Sequence, residues 1–179
     1  MSARLVPVHA ALIALLSERT GIDISWRPDL SFEQVDLSFV CGLPYVRRNR
    51  DLSLLAAPVM TGERYGGLPV YFTDMIVRAD DPAAAFDDLA GRKIAVNNPD
   101  SNSGCLVILN RLLLSGTSPS FFGNWWFSGA HLNSLEALLN GQCDCTGIDS
   151  TVLESEIRHD PGLAERIRVV ETIGPWPIP

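Results

Sequence analysis

From Lys93 onward the chain alternates short β-type runs with helical runs of about ten residues, the feature that most narrows the folds open to it. Lys93 to Asn97 reads as a strand, and Cys105 to Leu114 as a helix that ends near Ser115-Gly116. Asn124 to Ser128 is a strand. Leu132, Leu135, Leu138 and Leu139 mark one face of a helix closed by Asn140-Gly141. Cys143 to Ile148 is a further strand, followed by a helix through Ile157. Arg166 to Thr172 is a last strand before Gly174-Pro175-Trp176-Pro177. Such alternation predicts βαβ units and a mainly parallel α/β sheet.

The part before Lys93 is less regular. Val8, Leu12, Leu15 and Leu16 recur at helical spacing up to Thr20-Gly21. Ile22 to Trp26, Val35 to Cys41 and Leu52 to Val59 read as strands, and Leu68 to Arg78 as a long extended run. The chain thus begins on a helix and stops on a Pro-rich segment without a closing element. Such a sheet is expected to be truncated at both ends or completed by a partner.

Composition sets limits on function. Apolar residues make up 46% of the chain and charged residues 20%, enough for a packed core. The net charge of −7 argues against nucleic acid as a partner and against long-range attraction of an anion. An anion site here has to work through local dipoles. No apolar run reaches the roughly 18 residues of a membrane helix. Met1 to Val6 does not read as a signal peptide, which leaves the cytoplasm open as a location. Cys41, Cys105, Cys143 and Cys145 contain no CxxC pair and read as small buried residues. In a strand, Cys143 and Cys145 would face the same side. No cofactor and no metal is expected.

Three polar junctions follow strands. The richest is Asn97-Asn98-Pro99-Asp100-Ser101-Asn102-Ser103-Gly104, between a strand and a helix. The first N–H groups of a helix lack internal partners and carry the positive end of its dipole. Small residues let an anion reach that backbone, and serine hydroxyls add donors. Ser, Asn and Asp are equally favoured as plain helix caps, and both readings stay open. Asp100 would repel an anion and is expected to face away. The second junction is Ser128-Gly129-Ala130-His131, where His131 is either a donor to an anion or a packing residue. The third is Gly147-Ile148-Asp149-Ser150. Asp149 there is either an acceptor for a ligand donor or a cap of the next helix. All three fall at strand carboxyl ends, the edge where open α/β sheets bind ligands.

These stretches resemble the phosphate/phosphonate solute-binding proteins of ABC importers, within the type 2 periplasmic-binding fold. Asp88 to Val96 looks like the entry to the family's second lobe, Asn98 to Gly104 like its anion turn, Ser128 to His131 like its Gly-x-His segment, and Gly141 to Ser150 like the strand after it. The likeness runs over roughly residues 36 to 178. It implies a two-lobed fold in which residues 1–72 form an incomplete first lobe. Residues 73–173 then form the second, and 174–179 start the return crossing of the hinge. It implies that Leu68 to Arg78 is the outgoing crossing. It further implies that Tyr71 lies against a ligand and that Gly42 and Tyr45 belong to a first-lobe loop. Ser101, Asn102, Ser103, Gly104, His131 and Asp149 complete the implied ligand-binding set. The implied function is non-catalytic binding of phosphonate, phosphate or phosphite for delivery to an ABC permease, in the periplasm or at the cell surface. Two rivals share the fold: a ligand-sensing domain, and a transferase or hydrolase using Cys105 or Cys143 with His131.

Overall fold

The computed structural model describes residues 6–27, 29–31, 34–40, 42–47 and 53–178. The chain divides into two compact units, residues 1–40 and 41–179.

The first unit is built on helix α1 (Val6–Thr20). The Thr20 hydroxyl bonds the Leu16 carbonyl at 2.7 Å. Gly21, at φ +71°, then turns the chain back, where a side chain would be strained. His9 stacks on Trp26 and tilts against Phe39, with ring centroids 5.3 and 4.7 Å apart. Val8 and Leu15, expected on an apolar face, are 60% and 47% exposed within the described chain.

The strands expected at Ile22 to Trp26, Val35 to Cys41 and Leu52 to Val59 do not form among the described residues. Cys41 and Leu52 lie outside those residues. A run with β propensity becomes a strand only when a neighbour accepts its ladder, and the described residues offer these runs none. The segment Gly42–Arg47 instead forms the short helix α2, at the start of the second unit.

The second unit is a five-stranded sheet of order β3-β2-β4-β1-β5. Its strands are β1 (Val70–Arg78), β2 (Lys93–Val96), β3 (Asn124–Phe127), β4 (Cys145–Asp149) and β5 (Ile167–Pro177). The helices are α3 (Val107–Leu114), α4 (His131–Leu139), α5 (Ser150–His159) and α6 (Leu163–Arg166). The expected α/β architecture is present and the elements expected from Leu68 on all form, but β5 runs on to Pro177 through the Pro-rich segment expected to close the chain, and α6 was not expected. The sheet is mixed: β2 runs parallel to β3 and β4, while β1 is inserted antiparallel between β4 and β5. The carboxyl ends of β2, β3 and β4 therefore share an edge with the amino end of β1, where Thr73 pairs with Asp149.

Both faces of the sheet are covered. On one, Met75, Val77, Ile94, Val96 and Cys145 pack under Ile108 and Leu112 of α3, joined by Phe86, Leu89 and Phe122. On the other, Ile76, Ala95 and Ile148 meet Leu135 and Leu138 of α4 and Leu153 of α5. Each fully buried Val, Leu, Ile, Met or Phe among them contributes about 1.5–3 kcal/mol by leaving water. Cys143 and Cys145 go to opposite layers, contrary to the same-side expectation. The strand begins only at Cys145, after Asp144 has bonded the Lys93 backbone through both its own N–H and its carboxylate.

One charge is buried in β1. Asp74, 2% exposed, receives both guanidinium arms of Arg64 at 2.8 and 3.0 Å and the Thr172 hydroxyl at 2.7 Å. Arg64 lies over the Phe72 ring at 4.7 Å, and the carboxylate raises its pKa. The pair joins the segment before β1, β1 itself and β5. Asp74→Asn keeps the volume and removes the charge, leaving Arg64 with weaker acceptors. Its expected cost is about 2 kcal/mol, discounted because Arg64 is one-third exposed, and urea unfolding measures it.

Candidate functional site

The first junction gathers two main-chain donors on one carbonyl and opens into a wider turn than an ordinary helix start. The Asn98 side chain accepts from the Asp100 N–H at 2.8 Å, and the Asn98 carbonyl accepts from Ser101 N–H at 3.1 Å. Ser101 then caps the helix: its hydroxyl accepts from Gly104 N–H at 3.2 Å. Its carbonyl takes two N–H groups, from Cys105 at 3.1 Å and Leu106 at 3.0 Å. Residues Asn102–Leu106 form a π-helical turn that runs into α3. Such turns widen the start of a helix and are frequent at functional sites. The Asn102 and Ser103 N–H groups find no acceptor among the described residues. They are the free donors expected at a helix start.

Gly104 is fixed by close approach, not by left-handed geometry. A Cβ there would lie 1.9 Å from the Asn97 side-chain oxygen and 3.1 Å from His131 Cε1. The end of β2 and the start of α4 thus press on this one residue. His131 is the first residue of α4, and its Nε2 sits 3.0 Å from the Ser103 hydroxyl. Burial lowers its pKa, opposed by the Asp149 carboxylate and the Gly147 carbonyl, and the ring is neutral at pH 7. A neutral ring can donate or accept at Nε2, with the Ser103 hydroxyl turning to suit. Its Nδ1 and the Asn97 side-chain oxygen are both buried without a hydrogen bond.

The other sequence candidates divide. Asn102 donates its side-chain N–H to the Tyr71 hydroxyl, and Tyr71 is buried at 3% exposure. Asp149 caps α5, accepting from the Thr151 N–H at 2.9 Å and the Thr151 hydroxyl at 2.7 Å, which favours the capping reading. Asp100 is exposed and pairs with Arg47 of α2 at 3.6 Å, a contact worth about 0–1 kcal/mol. Gly42 and Tyr45 are half-buried in α2, and no hydrogen bond or ring contact among the described residues joins them to the turn. Cys41, from the same loop, is outside the described residues.

Two residues at the site were not among the ligand candidates of the sequence. Asn97 read as the end of a strand and the first residue of the polar junction, and Thr73 was not singled out within the extended run Leu68 to Arg78. Thr73, fully buried in β1, donates its hydroxyl to the Ser103 carbonyl at 2.9 Å. A contact spanning that separation leaves no local pattern.

The arrangement suits binding better than bond breaking. In a serine–histidine relay a carboxylate orients the histidine, whereas the Asp149 carboxylate is held by the Thr151 N–H and hydroxyl. Burial raises the pKa of Cys105, and that of Cys143 to about 11, so both thiols stay protonated and weakly nucleophilic. No group of three or more His, Cys, Asp or Glu among the described residues is placed to hold a metal ion. No described helix is long and apolar enough to cross a membrane.

Residues 2–179 match the family described as the periplasmic substrate-binding protein of the phosphonate ABC transporter. No curated protein matches the chain. Among solved structures it is similar to a binding-protein component of an ABC phosphonate transporter from Pseudomonas aeruginosa, with a TM-score of 0.79 and 18% identity over 99% of this chain and 63% of that one. It is also similar to PhnD1 of Prochlorococcus marinus in complex with methylphosphonate, with a TM-score of 0.75 and 13% identity over 98% and 70% of the two chains. At these identities the likeness speaks for the fold. A Xanthomonas citri protein bound to ATP aligns with a TM-score of 0.55 and 26% identity, over 63% of this chain and 45% of that one. The chain therefore spans 45% and 63% of the lengths of two of these relatives.

Two outcomes follow from the geometry of the turn. Gly104→Ala forces the new Cβ into the Asn97 amide and is expected to cost about 1–3 kcal/mol in urea unfolding, with Asn97→Ala in the same chain recovering most of it. His131 has a folded pKa below its ordinary 6.5, so the unfolded chain takes up the proton first as pH falls. Its contribution is complete above pH 6.5 and is lost below, with a slope of up to about 1.4 kcal/mol per pH unit. Denaturation of His131→Gln between pH 7 and 5 is expected to show a correspondingly shallower loss than the unsubstituted chain.

Proposed function

The chain belongs to the periplasmic substrate-binding proteins of phosphonate ABC transporters, and on that premise we propose that it holds a small phosphorus oxyanion at the Ser101–Gly104 turn without chemically altering it. The observation that carries this reading is a run of unpaired and rotatable donors at neighbouring residues of the turn. The Asn102 and Ser103 N–H groups find no acceptor among the described residues, and the Ser103 hydroxyl faces a neutral His131. A tetrahedral oxyanion presents several acceptors at once and fits such a set. The oxyanions in question are phosphonate, phosphate and phosphite.

In the same proposal, β1 and β5 are the outgoing and return crossings between two lobes. The lobe boundaries fall near residues 72 and 173, and residues 174–179 begin the return. Tyr71, Gly42 and Tyr45 approach the ligand from the hinge and the first lobe. Asp149 acts mainly by capping α5, which keeps its charge occupied beside an anion. Delivery to an ABC permease, in the periplasm, completes the role. Support for these parts comes from the family and from the adjacency of β1 and β5.

Isothermal titration of the folded chain with methylphosphonate, phosphate, phosphite and ATP tests the reading. One-to-one heat with a dissociation constant of about 10 μM or tighter for at least one of the first three is expected. Ser103→Ala and His131→Ala are each expected to weaken it about tenfold, the size of one charge-assisted hydrogen bond. A folded chain that gives heat with none of the three refutes the oxyanion reading. Heat with ATP alone would direct it to nucleotides.

A further inference from the structure

The turn contains a shift of hydrogen-bond register. Ser101 and Asn102 carbonyls are paired five residues ahead, with Leu106 and Val107, before α3 settles. Where a helix changes from five-residue to four-residue spacing, a carbonyl within the shift loses its regular main-chain alignment. The Ser103 carbonyl lies in that shift, and it accepts the Thr73 hydroxyl at 2.9 Å. Both residues are buried, Thr73 fully and Ser103 to 7% exposure. Burial shields this bond from solvent, and an unmet carbonyl there would carry its full desolvation cost.

The peptide that the Thr73 hydroxyl holds is attached to the Ser103 side chain, whose hydroxyl contacts His131. Two residues earlier on the same strand face, Tyr71 receives the Asn102 side chain. On the other side of Thr73, its methyl packs where a Gly147 Cβ would sit, at 3.2 Å. Strand β1 therefore grips two consecutive residues of the turn, while β4 closes behind it.

We propose that Thr73 is a positioning residue for the anion turn, its hydroxyl holding the Ser103–Gly104 peptide through the Ser103 carbonyl and so setting how the Ser103 hydroxyl and the adjoining Asn102 and Ser103 N–H groups are presented. This rests on the oxyanion reading for its consequence in affinity, but its structural half stands by itself. Because β1 also pairs with β5 along its length, the turn is oriented relative to that strand pair as well as to its own helix.

Three variants test it. Thr73→Val keeps the shape and removes the donor, Thr73→Ser keeps the donor and removes the methyl, and Thr73→Ala removes both. Two readouts are taken on each folded variant: hydrogen exchange of the Gly104, Cys105 and Leu106 amides, and affinity for methylphosphonate and phosphate by titration. Thr73→Val is expected to speed exchange of those amides at least tenfold and weaken anion binding about tenfold, with Thr73→Ser within about threefold of the unsubstituted chain in both. If Thr73→Val does not fold, the same contrast is read between Thr73→Ser and Thr73→Ala. Unchanged exchange and affinity in the donor-less variant overturn the proposal. So does equal damage in Thr73→Ser, which would make packing the cause. If the unsubstituted chain binds neither anion, the oxyanion reading fails, and the exchange contrast still decides whether Thr73 positions the turn.

Discussion

The contact between Asn97 and Gly104 is the constraint around which the site is arranged. The side-chain amide at the end of β2 occupies the space a Cβ would need, so the start of the next helix can descend onto the strand edge only because residue 104 is glycine. That descent brings Ser103 within 3.0 Å of His131 and lets the Ser101 hydroxyl reach the Gly104 N–H. It also sets the Ser103 carbonyl against β1.

The sequence made the second unit legible and the first much less so, for a physical reason. From Lys93 on, each helix follows the strand it covers, and periodicity reports burial on a neighbour close in sequence. Before Val70, the apolar runs at Ile22, Val35 and Leu52 had β propensity but no ladder among the described residues, and propensity alone does not make a strand. The direction of β1 was equally invisible: an antiparallel neighbour reads much like a parallel one, which is why a mainly parallel sheet was expected. At the site, Ser101 and His131 stood out because caps and lone histidines have local signatures. Asn97 was legible only as a member of the polar junction and Thr73 not at all, since what distinguishes each is its contact with another element. Cys143 misled through its spacing from Cys145, because the strand boundary falls between them.

Charge is managed locally. A chain of net charge −7 does not draw anions from a distance, and the acidic residues nearest the turn are already engaged. Asp100 turns outward to Arg47, and Asp149 is occupied by Thr151. Apart from the Arg47–Asp100 pair, the groups in contact with the turn among the described residues are neutral: a desolvated imidazole, hydroxyls and main-chain N–H groups. Such groups act over short range through fixed dipoles, so whatever they hold is selected by shape and donor count more than by ionic strength.

The antiparallel placement of β1 beside β5 also bears on how the chain can vary. Val70 pairs with Pro177 and Arg78 with Ile167, so the stretch from Ala79 to Arg166, which supplies β2, β3 and β4 to the same sheet, begins and ends at one clasp. The entropy of closing such a loop grows only with the logarithm of its length, about 0.6 kcal/mol for each doubling. Surface connections within that stretch can therefore lengthen or shorten while the clasp stays nearly as strong. The sheet is the fixed part, and the variable parts are the connections between its strands.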